Sequence, residues 1–295
     1  MAEKSLNVVG DHAARRAFTM HDRAWQANAY VYPVVSRRSK GISIGINLNP
    51  DKACNFDCIY CSVDRRVPGV RKDVDLAQLR QELEQLVELA KSGAIYTFDP
   101  FNSIPAPLRR INDIAFSGDG EPTTFPEFAA ACQIAAAVKD AANLPDVKLV
   151  LITNATMFHR PNVAAALAFL DQHQGEIWAK LDAGTAAYYD LVDRTPVPFQ
   201  RVLDNIMACA QARPTVIQTL LMKVHGAGPS NAEIDAYCQR LRAVQSADGK
   251  IKLVQIYTVA RDTTEAYATA LSGAELEAIG ARVRAAAGVA VETYP

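Results

Sequence analysis

The stretch ISIGINLNPDKACNFDCIYCSVDR, residues 42–65, joins a short apolar strand directly to a loop that carries three cysteines. Downstream of it, short runs rich in Val, Ile and Leu alternate with segments whose apolar residues recur at three- and four-residue spacing. That alternation is typical of βα units around a parallel sheet. The predicted strands are residues 42–49, 111–117, 147–153, 176–182, 215–224 and 251–259.

Amphipathic helices are predicted between and after these strands. The first begins near Asp73 or Asp75, either of which can cap it, and the others cover residues 127–142, 161–171, 199–212, 231–245 and 273–287. Six βα units are too few for a closed eight-stranded barrel. We therefore predict the α/β class: an open, partial (β/α)6 TIM-like barrel of parallel strands over residues 42–295, with an irregular insertion at 94–110. Residues 1–41 are predicted to be an N-terminal extension with at most one helix.

The composition fits a self-sufficient domain in a reducing compartment. The chain has 295 residues, 49% of them hydrophobic, and a net charge of −1, which argues against a protein that coats nucleic acid. Because no secretory leader, disulfide framework or bilayer-spanning run is evident, we expect a cytoplasmic protein with no membrane association. Basic residues near the cysteine loop form either a solvated rim or a patch for an anionic substrate: Arg37, Arg38, Lys40, Arg65, Arg66, Arg71 and Lys72.

Cys54, Cys58 and Cys61 have the spacing CxxxCxxC, which directs three thiolates at a common point. A structural zinc site or an ordinary iron–sulfur cluster takes about four protein ligands, and no fourth candidate lies nearby in the sequence. One metal position is therefore predicted to stay open to a group that is not protein. The other cysteines lie in helical patterns, where a free cysteine packs as a small hydrophobe: Cys132, Cys209 and Cys238.

With Tyr60 before the third cysteine, this run resembles the radical S-adenosylmethionine (SAM) superfamily, whose CxxxCxxC motif binds a [4Fe–4S] cluster. The resemblance implies that the three cysteines ligate iron and that the amino and carboxylate groups of SAM chelate the remaining iron. Tyr60 then lies beside the cofactor. The resemblance also implies an external electron donor of the flavodoxin or ferredoxin type.

The second predicted strand ends in SGDGEPTT, residues 117–124, which is similar to the glycine-rich GGEP-type segment of the superfamily. Gly118 and Gly120 permit close backbone approach, and Glu121 offers an anionic acceptor to an ammonium group. The resemblance implies that these residues and Pro122 position the methionine end of SAM. A plain strand-to-helix turn is the alternative.

Further candidate residues end the remaining strands. Thr153 and Asn154 either hydrogen-bond the ribose, as the resemblance implies, or cap the following helix. Alternation puts Lys180 and Asp182 on one face, where we predict substrate contact or proton transfer; such a lysine could also form an imine with a carbonyl substrate. Gln218 is another candidate cofactor contact, and the resemblance implies that the adenine neighbours are Tyr257, Thr258 and Val259.

Over residues 42–262 the motifs are similar to an Fe–S oxidoreductase branch that includes wyosine-forming tRNA enzymes, although this chain lacks that subgroup's additional upstream cysteines. The leading hypothesis is a radical SAM enzyme that cleaves SAM reductively to methionine and a 5′-deoxyadenosyl radical, which takes a hydrogen atom from an unidentified small molecule, peptide or tRNA. The alternatives are a tRNA base-modifying enzyme, a non-catalytic Fe–S electron carrier and a structural zinc module.

Overall fold

The computed structural model describes residues 25–36, 38, 40–69 and 71–295. Most of the predicted N-terminal extension, including any helix in residues 1–24, and Arg37 of the basic group lie outside the described residues. The described residues form ten strands, namely β1 (Val31–Ser36), β2 (Gly41–Ile46), β3 (Ile111–Phe116), β4 (Lys148–Thr153), β5 (Gly175–Lys180), β6 (Thr215–Leu220), β7 (Met222–Val224), β8 (Ile251–Tyr257), β9 (Ala268–Ala270) and β10 (Val291–Tyr294). They also form seven helices, namely α1 (Leu76–Lys91), α2 (Phe128–Ala141), α3 (Pro161–Asp171), α4 (Ala186–Asp193), α5 (Phe199–Ala212), α6 (Asn231–Ser246) and α7 (Gly273–Ala287).

The main sheet has eight strands within the described residues, in the order β1-β2-β3-β4-β5-β6-β8-β10. All neighbours from β2 to β10 pair in parallel, and β1 pairs with β2 in antiparallel fashion. The sheet curls into an open half-barrel with helices outside it, which confirms the predicted partial TIM-like barrel. β7 and β9 form a separate antiparallel pair.

β1 lies inside the segment predicted to be an extension, and helix α1 holds it in place. The buried Glu82 of α1 accepts hydrogen bonds from the backbone N–H groups of Ala29, Tyr30 and Val31. Pro33 is tolerated in β1 because the strand lies at the edge of the sheet. No βα pattern marks this segment in the sequence, since β1 has no crossover helix of its own.

The predicted elements agree closely with those observed. Asp75, rather than Asp73, caps α1 by accepting from the N–H groups of Ala77 and Gln78. The predicted strand at 215–224 is divided into β6 and β7, and residues 94–110 form the expected irregular segment of short 3-10 turns. Helix α4 and strand β10 were not predicted, because each is too short to show a clear apolar period. Among the described helices, none is long and apolar enough to cross a membrane.

Glu176 lies in the barrel interior near the start of β5, where it accepts hydrogen bonds from three neighbouring side chains. Its carboxylate accepts hydrogen bonds from Trp178 Nε1 at 2.8 Å and Lys148 Nζ at 3.0 Å, and also from Lys252. Burial raises the pKa of Glu176, but the hydrogen bonds from Lys252, Trp178 and Lys148 outweigh burial and hold the pKa below its ordinary value of 4.5.

Replacing Glu176 by Gln is expected to lower the free energy of unfolding at pH 7 by about 1–3 kcal/mol, the usual cost of breaking charge-assisted bonds to a buried group. The carboxylate's contribution is fully present above the ordinary pKa of 4.5 and is lost as the pH falls through the lower folded-state pKa. The difference between wild type and variant should therefore shrink under acid in denaturant titrations. The exposed Glu84→Gln is the matched control, and a difference that stays constant at low pH would contradict the role of the charge.

Candidate functional site

Three cysteines on the loop after β2 line one cavity at the carboxyl ends of the parallel strands. Cys54, Cys58 and Cys61 are half-buried and free, whereas Cys132, Cys209 and Cys238 are buried in helices. The same cavity is lined by most of the residues predicted from the motifs: Tyr60, Gly118, Gly120, Glu121, Thr153, Asn154 and Lys180. We call this space the cysteine cavity. Its walls come from the loops after β2 and β3 and from the ends of β4 and β5, the edge where parallel sheets of this class carry their sites.

The glycine-rich loop after β3 packs directly on the cysteine loop. A Cβ at Gly120 would collide with the carbonyl oxygen of Ala53, and a Cβ at Gly118 would collide with the side chain of Asn47. Asn47 Oδ1 accepts from the backbone N–H of Asp119 at 3.1 Å, so the amide ties the two loops together. The glycines are therefore required for close approach, as predicted, and their contact is with the neighbouring loop.

Glu121 is buried and braces the glycine-rich loop against the end of β4. Its Oε1 accepts from the Thr123 hydroxyl and N–H and from the Thr153 hydroxyl at 2.6 Å, while Oε2 accepts from Asn154 N at 2.7 Å. Burial raises the pKa of Glu121, and these hydrogen bonds oppose the rise. Pro122 is buried and begins a 3-10 turn. Oε2 keeps acceptor capacity for a further donor in the cysteine cavity.

Thr153 and Asn154 belong to this network and do not cap the next helix. Helix α3 begins at Pro161, so the capping alternative for these two residues is wrong. Asn154 Nδ2 donates to Asn55 Oδ1 at 2.7 Å, and Asn154 Oδ1 accepts from the Thr156 hydroxyl at 2.7 Å. Asn55 stands between Cys54 and Cys58 in the sequence, so Asn154 connects the β4 end to the cysteine loop.

Lys180 and Asp182 share one face, as alternation predicted, and form an ion pair next to Tyr60 in which Asp182 is buried and Lys180 is half-buried. Lys180 Nζ lies 3.1 Å from Asp182 Oδ2 and donates to the Tyr257 hydroxyl at 2.8 Å. Asp182 also accepts from the Tyr60 hydroxyl and, at 2.7 Å, from the N–H of Leu220. Burial lowers the pKa of Lys180, but Asp182 and Tyr257 raise it more, so the pKa lies above its ordinary value and the amine stays protonated.

The remaining predicted cofactor contacts lie outside the cysteine cavity. Tyr257, Thr258 and Val259 line a second cavity inside the barrel, which we call the lumen cavity. Thr258 also accepts from the N–H of Leu271 at 2.9 Å. Gln218 is buried and donates to Gln255 at 2.8 Å, and it is not among the described residues that line either of the two cavities.

Two residues near the cysteines were not singled out from the sequence. Arg65 Nη1 donates to Cys61 Sγ at 3.0 Å and Nη2 donates to the carbonyl of Asp119 at 2.9 Å, so it bridges both loops. In the sequence Arg65 is one of several basic residues near the cysteine loop, and no motif distinguishes it from the others. Asp193, at the end of α4, is buried and accepts from Cys58 Sγ at 3.6 Å. No pattern identified it, because α4 itself was not predicted.

The donor set suits a thiolate-bound cluster. Three half-buried cysteines line one cavity, and the guanidinium of Arg65 and the N–H of Val63 both donate hydrogen bonds to Cys61 Sγ, as they would to a sulfur bound to iron. Within the described part of the chain, no group of three or more Cys, His, Asp or Glu is close enough to chelate a single metal ion. A cluster does not need that spacing, because each cysteine binds a different iron.

Comparisons with known proteins agree with this geometry. The family model described as the radical SAM superfamily matches residues 48–228. A UPF0026 protein of Helicobacter pylori strain J99 is 24% identical over 217 residues, which are 73% of this chain and 62% of that protein. The match thus spans less than two thirds of that relative's length.

Two solved structures are similar in fold. Streptococcus suis SuiB bound to S-adenosylmethionine has a TM-score of 0.58 and 13% identity, covering 88% of this chain and 52% of SuiB. TYW1 with a lysine–pyruvate adduct bound has a TM-score of 0.50 and 13% identity, covering 92% of this chain and 81% of TYW1. At these identities the similarity establishes a shared fold.

Proposed function

Because this chain belongs to the radical SAM superfamily, we propose that it is an enzyme that binds a [4Fe–4S] cluster and SAM and abstracts a hydrogen atom from its substrate. The observation that carries the proposal is the cysteine cavity, in which the three cysteines meet the glycine-rich loop, Asn154 and Lys180. We propose residues 42–295 as the catalytic domain, to which β1 adds the edge strand of the sheet, and the cytoplasm as its location.

In this proposal Cys54, Cys58 and Cys61 hold the cluster, and Arg65 stabilises the charge on Cys61 through its hydrogen bond. When bound, the reduced cluster supplies the electron that cleaves SAM to methionine and a 5′-deoxyadenosyl radical. Gly118 and Gly120 let the glycine-rich loop pack on the cysteine loop, which brings its backbone beside the methionine end, and the free acceptor capacity of Glu121 Oε2 suits the ammonium group of that end.

The other end of SAM is assigned to the strand ends nearer the lumen. Asn154 orients the ribose from a position fixed by Asn55 and Thr156. We assign the adenine to the side of Tyr257, Thr258 and Val259, which line the lumen cavity beside Tyr60. The electron comes from a separate flavodoxin- or ferredoxin-type donor.

Lys180 and Asp182 have different parts in the proposal. Lys180 contacts the substrate as an ammonium group, and Asp182 positions it together with Tyr60. An imine needs a neutral amine, and the pairing with Asp182 stabilises the charged form. The lysine–pyruvate adduct named for the TYW1 structure is therefore not carried over to Lys180.

The test is product formation under anaerobic conditions. The protein is reconstituted with iron and sulfide, reduced with dithionite and mixed with SAM, and 5′-deoxyadenosine is quantified by chromatography. Release of 5′-deoxyadenosine is the expected result. A reducible cluster that yields none would instead indicate the non-catalytic electron carrier, and zinc without acid-labile sulfide would indicate the structural zinc module.

Transfer RNA is the second candidate substrate, favoured by the basic residues around the cysteine loop. Binding that uses several phosphates weakens steeply with salt. Labelled tRNA is mixed with the protein in the presence of a polyanion competitor. If the tRNA stays bound at low salt and is lost at high salt, tRNA is favoured as the substrate over a small molecule or peptide.

A further inference from the structure

The lumen cavity lies directly beside the cysteine cavity, inside the half-barrel. It has a volume of about 240 Å³, and the two cavities share four lining residues: Tyr60, Ser117, Gly118 and Ile152. Its walls are rich in aromatic rings, contributed by Tyr32, Tyr60, Trp178, Tyr257 and Tyr294. A molecule bound in the lumen cavity would therefore be held by aromatic rings, and it would share the cavity with the adenine, which is assigned to the side of Tyr257, Thr258 and Val259.

Arg38 extends into this space from the chain segment after β1. Its guanidinium carbon lies 4.9 Å from the centre of the Tyr257 ring and 5.7 Å from that of Trp178, two cation–π contacts that hold it inside the barrel. Arg38 lines the lumen cavity and also a neighbouring space whose walls carry charged residues such as Glu176 and Lys252. The basic residue that the sequence assigned to a surface rim or patch thus faces the barrel interior.

The guanidinium of Arg38 makes no ion pair with a described residue, although the buried carboxylate of Asp113 lines the same two spaces. No described carboxylate lies within 4.0 Å of it, and no described group accepts a hydrogen bond from it, whereas several neighbouring charged side chains have such partners. Lys180 is paired with Asp182, Glu176 with Lys148 and Lys252, and Glu292 accepts from Tyr294. A half-buried charge without a partner is costly unless a ligand supplies one.

We propose that the substrate of this enzyme is an organic carboxylate with a flat or apolar body, bound in the lumen cavity with its carboxylate on Arg38. This inference rests on the proposed function and names the substrate class of the same site. The guanidinium fork matches a carboxylate through two parallel hydrogen bonds. The guanidinium of Arg38 carries one positive charge and suits a monoanion, while a phosphate monoester carries close to two negative charges at neutral pH.

The test measures binding to the full chain through the fluorescence of Trp178, which lines the lumen cavity. The only other tryptophan, Trp25, packs against Phe98 and Phe101, and Trp25→Phe removes its signal. Phenylacetate, phenylacetamide and phenyl phosphate are titrated separately. We expect saturable binding of phenylacetate, with phenylacetamide about ten-fold or more weaker because it lacks the charge.

In the same background, Arg38→Gln should weaken phenylacetate binding by about ten-fold or more and leave the amide unaffected. Arg66→Gln is the matched control, since Arg66 has a side chain that is 83% exposed and pairs with Asp64 at the surface. If Arg38→Gln lowers the melting temperature, Arg38→Lys keeps the charge without the fork and is expected to bind phenylacetate with intermediate affinity.

Equal binding of acid and amide, no saturation by phenylacetate, or an unchanged affinity in Arg38→Gln would each overturn the inference. Tighter binding of phenyl phosphate would contradict the monoanion assignment. The titration needs neither iron nor SAM, so its failure leaves a positive 5′-deoxyadenosine assay untouched. Conversely, carboxylate binding without 5′-deoxyadenosine would count against the proposed function alone.

Discussion

Replacing Cys58 by alanine is expected to leave a folded protein that no longer retains iron. Cys58 is one of three thiols around the cysteine cavity, and with two remaining the cluster loses a third of its protein ligands. Loss of a ligand exceeds the roughly 10–100-fold loss in metal affinity that follows removal of an outer hydrogen-bond partner. Iron and acid-labile sulfide, measured after anaerobic reconstitution and desalting, should fall to background.

The control is Cys132→Ala, because Cys132 is a free cysteine buried in α2, away from the cysteine loop. Its replacement should lower stability slightly and leave the iron content at the wild-type level, since a buried free cysteine acts as a small hydrophobe. If Cys58→Ala and Cys132→Ala both retain the wild-type amount of iron, the ligand assignment is mistaken.

The second large effect is expected from Gly120→Ala. The added Cβ would overlap the carbonyl oxygen of Ala53, the residue before Cys54, and would press on the side chain of Asn49. Neither obstacle is the end of a flexible side chain, so the two loops must separate. Overpacking of this kind costs about 1–3 kcal/mol, which should appear as a lower free energy of unfolding, and the displaced cysteine loop should also fail to retain the cluster.

Gly273→Ala is the matched control for this substitution. Gly273 is the first residue of α7, and the nearest atom to an added Cβ is Pro295 Cβ at 3.6 Å, an ordinary contact. Alanine there should leave stability unchanged or raise it by up to about 1 kcal/mol. Wild-type stability and iron content in Gly120→Ala would mean that the close packing of the loops is not needed.

The sequence predicted the elements whose signals are local. The periods of apolar residues located the six inner strands and most helices, and the cysteine spacing located the loop that the structure puts at the strand ends. Contacts formed between distant segments left no such signal. Asp193 approaches Cys58 only because α4 folds back on the cysteine loop, and Arg65 reaches Asp119 only because the two loops pack together.

Some residues were identified correctly but for an incomplete reason. Glu121 was expected to offer its carboxylate to a ligand, and most of its acceptor capacity is used to hold Thr123, Thr153 and Asn154. Sequence reasoning assigns such a residue to the cavity it faces. The number of donors around the carboxylate depends on how two strand ends pack in the folded protein, and no sequence pattern reports it.

The hydrogen bonds of Asp182 limit how the pocket can be redesigned. One carboxylate serves the cysteine loop through Tyr60, strand β5 through Lys180 and the end of strand β6 through the N–H of Leu220. Tyr60, Lys180 and Asp182 therefore depend on one another for their hydrogen bonds. Engineering a new specificity here requires exchanging the three residues together, because replacing one alone leaves the hydroxyl of Tyr60 or a charge of the Lys180–Asp182 pair without its partner.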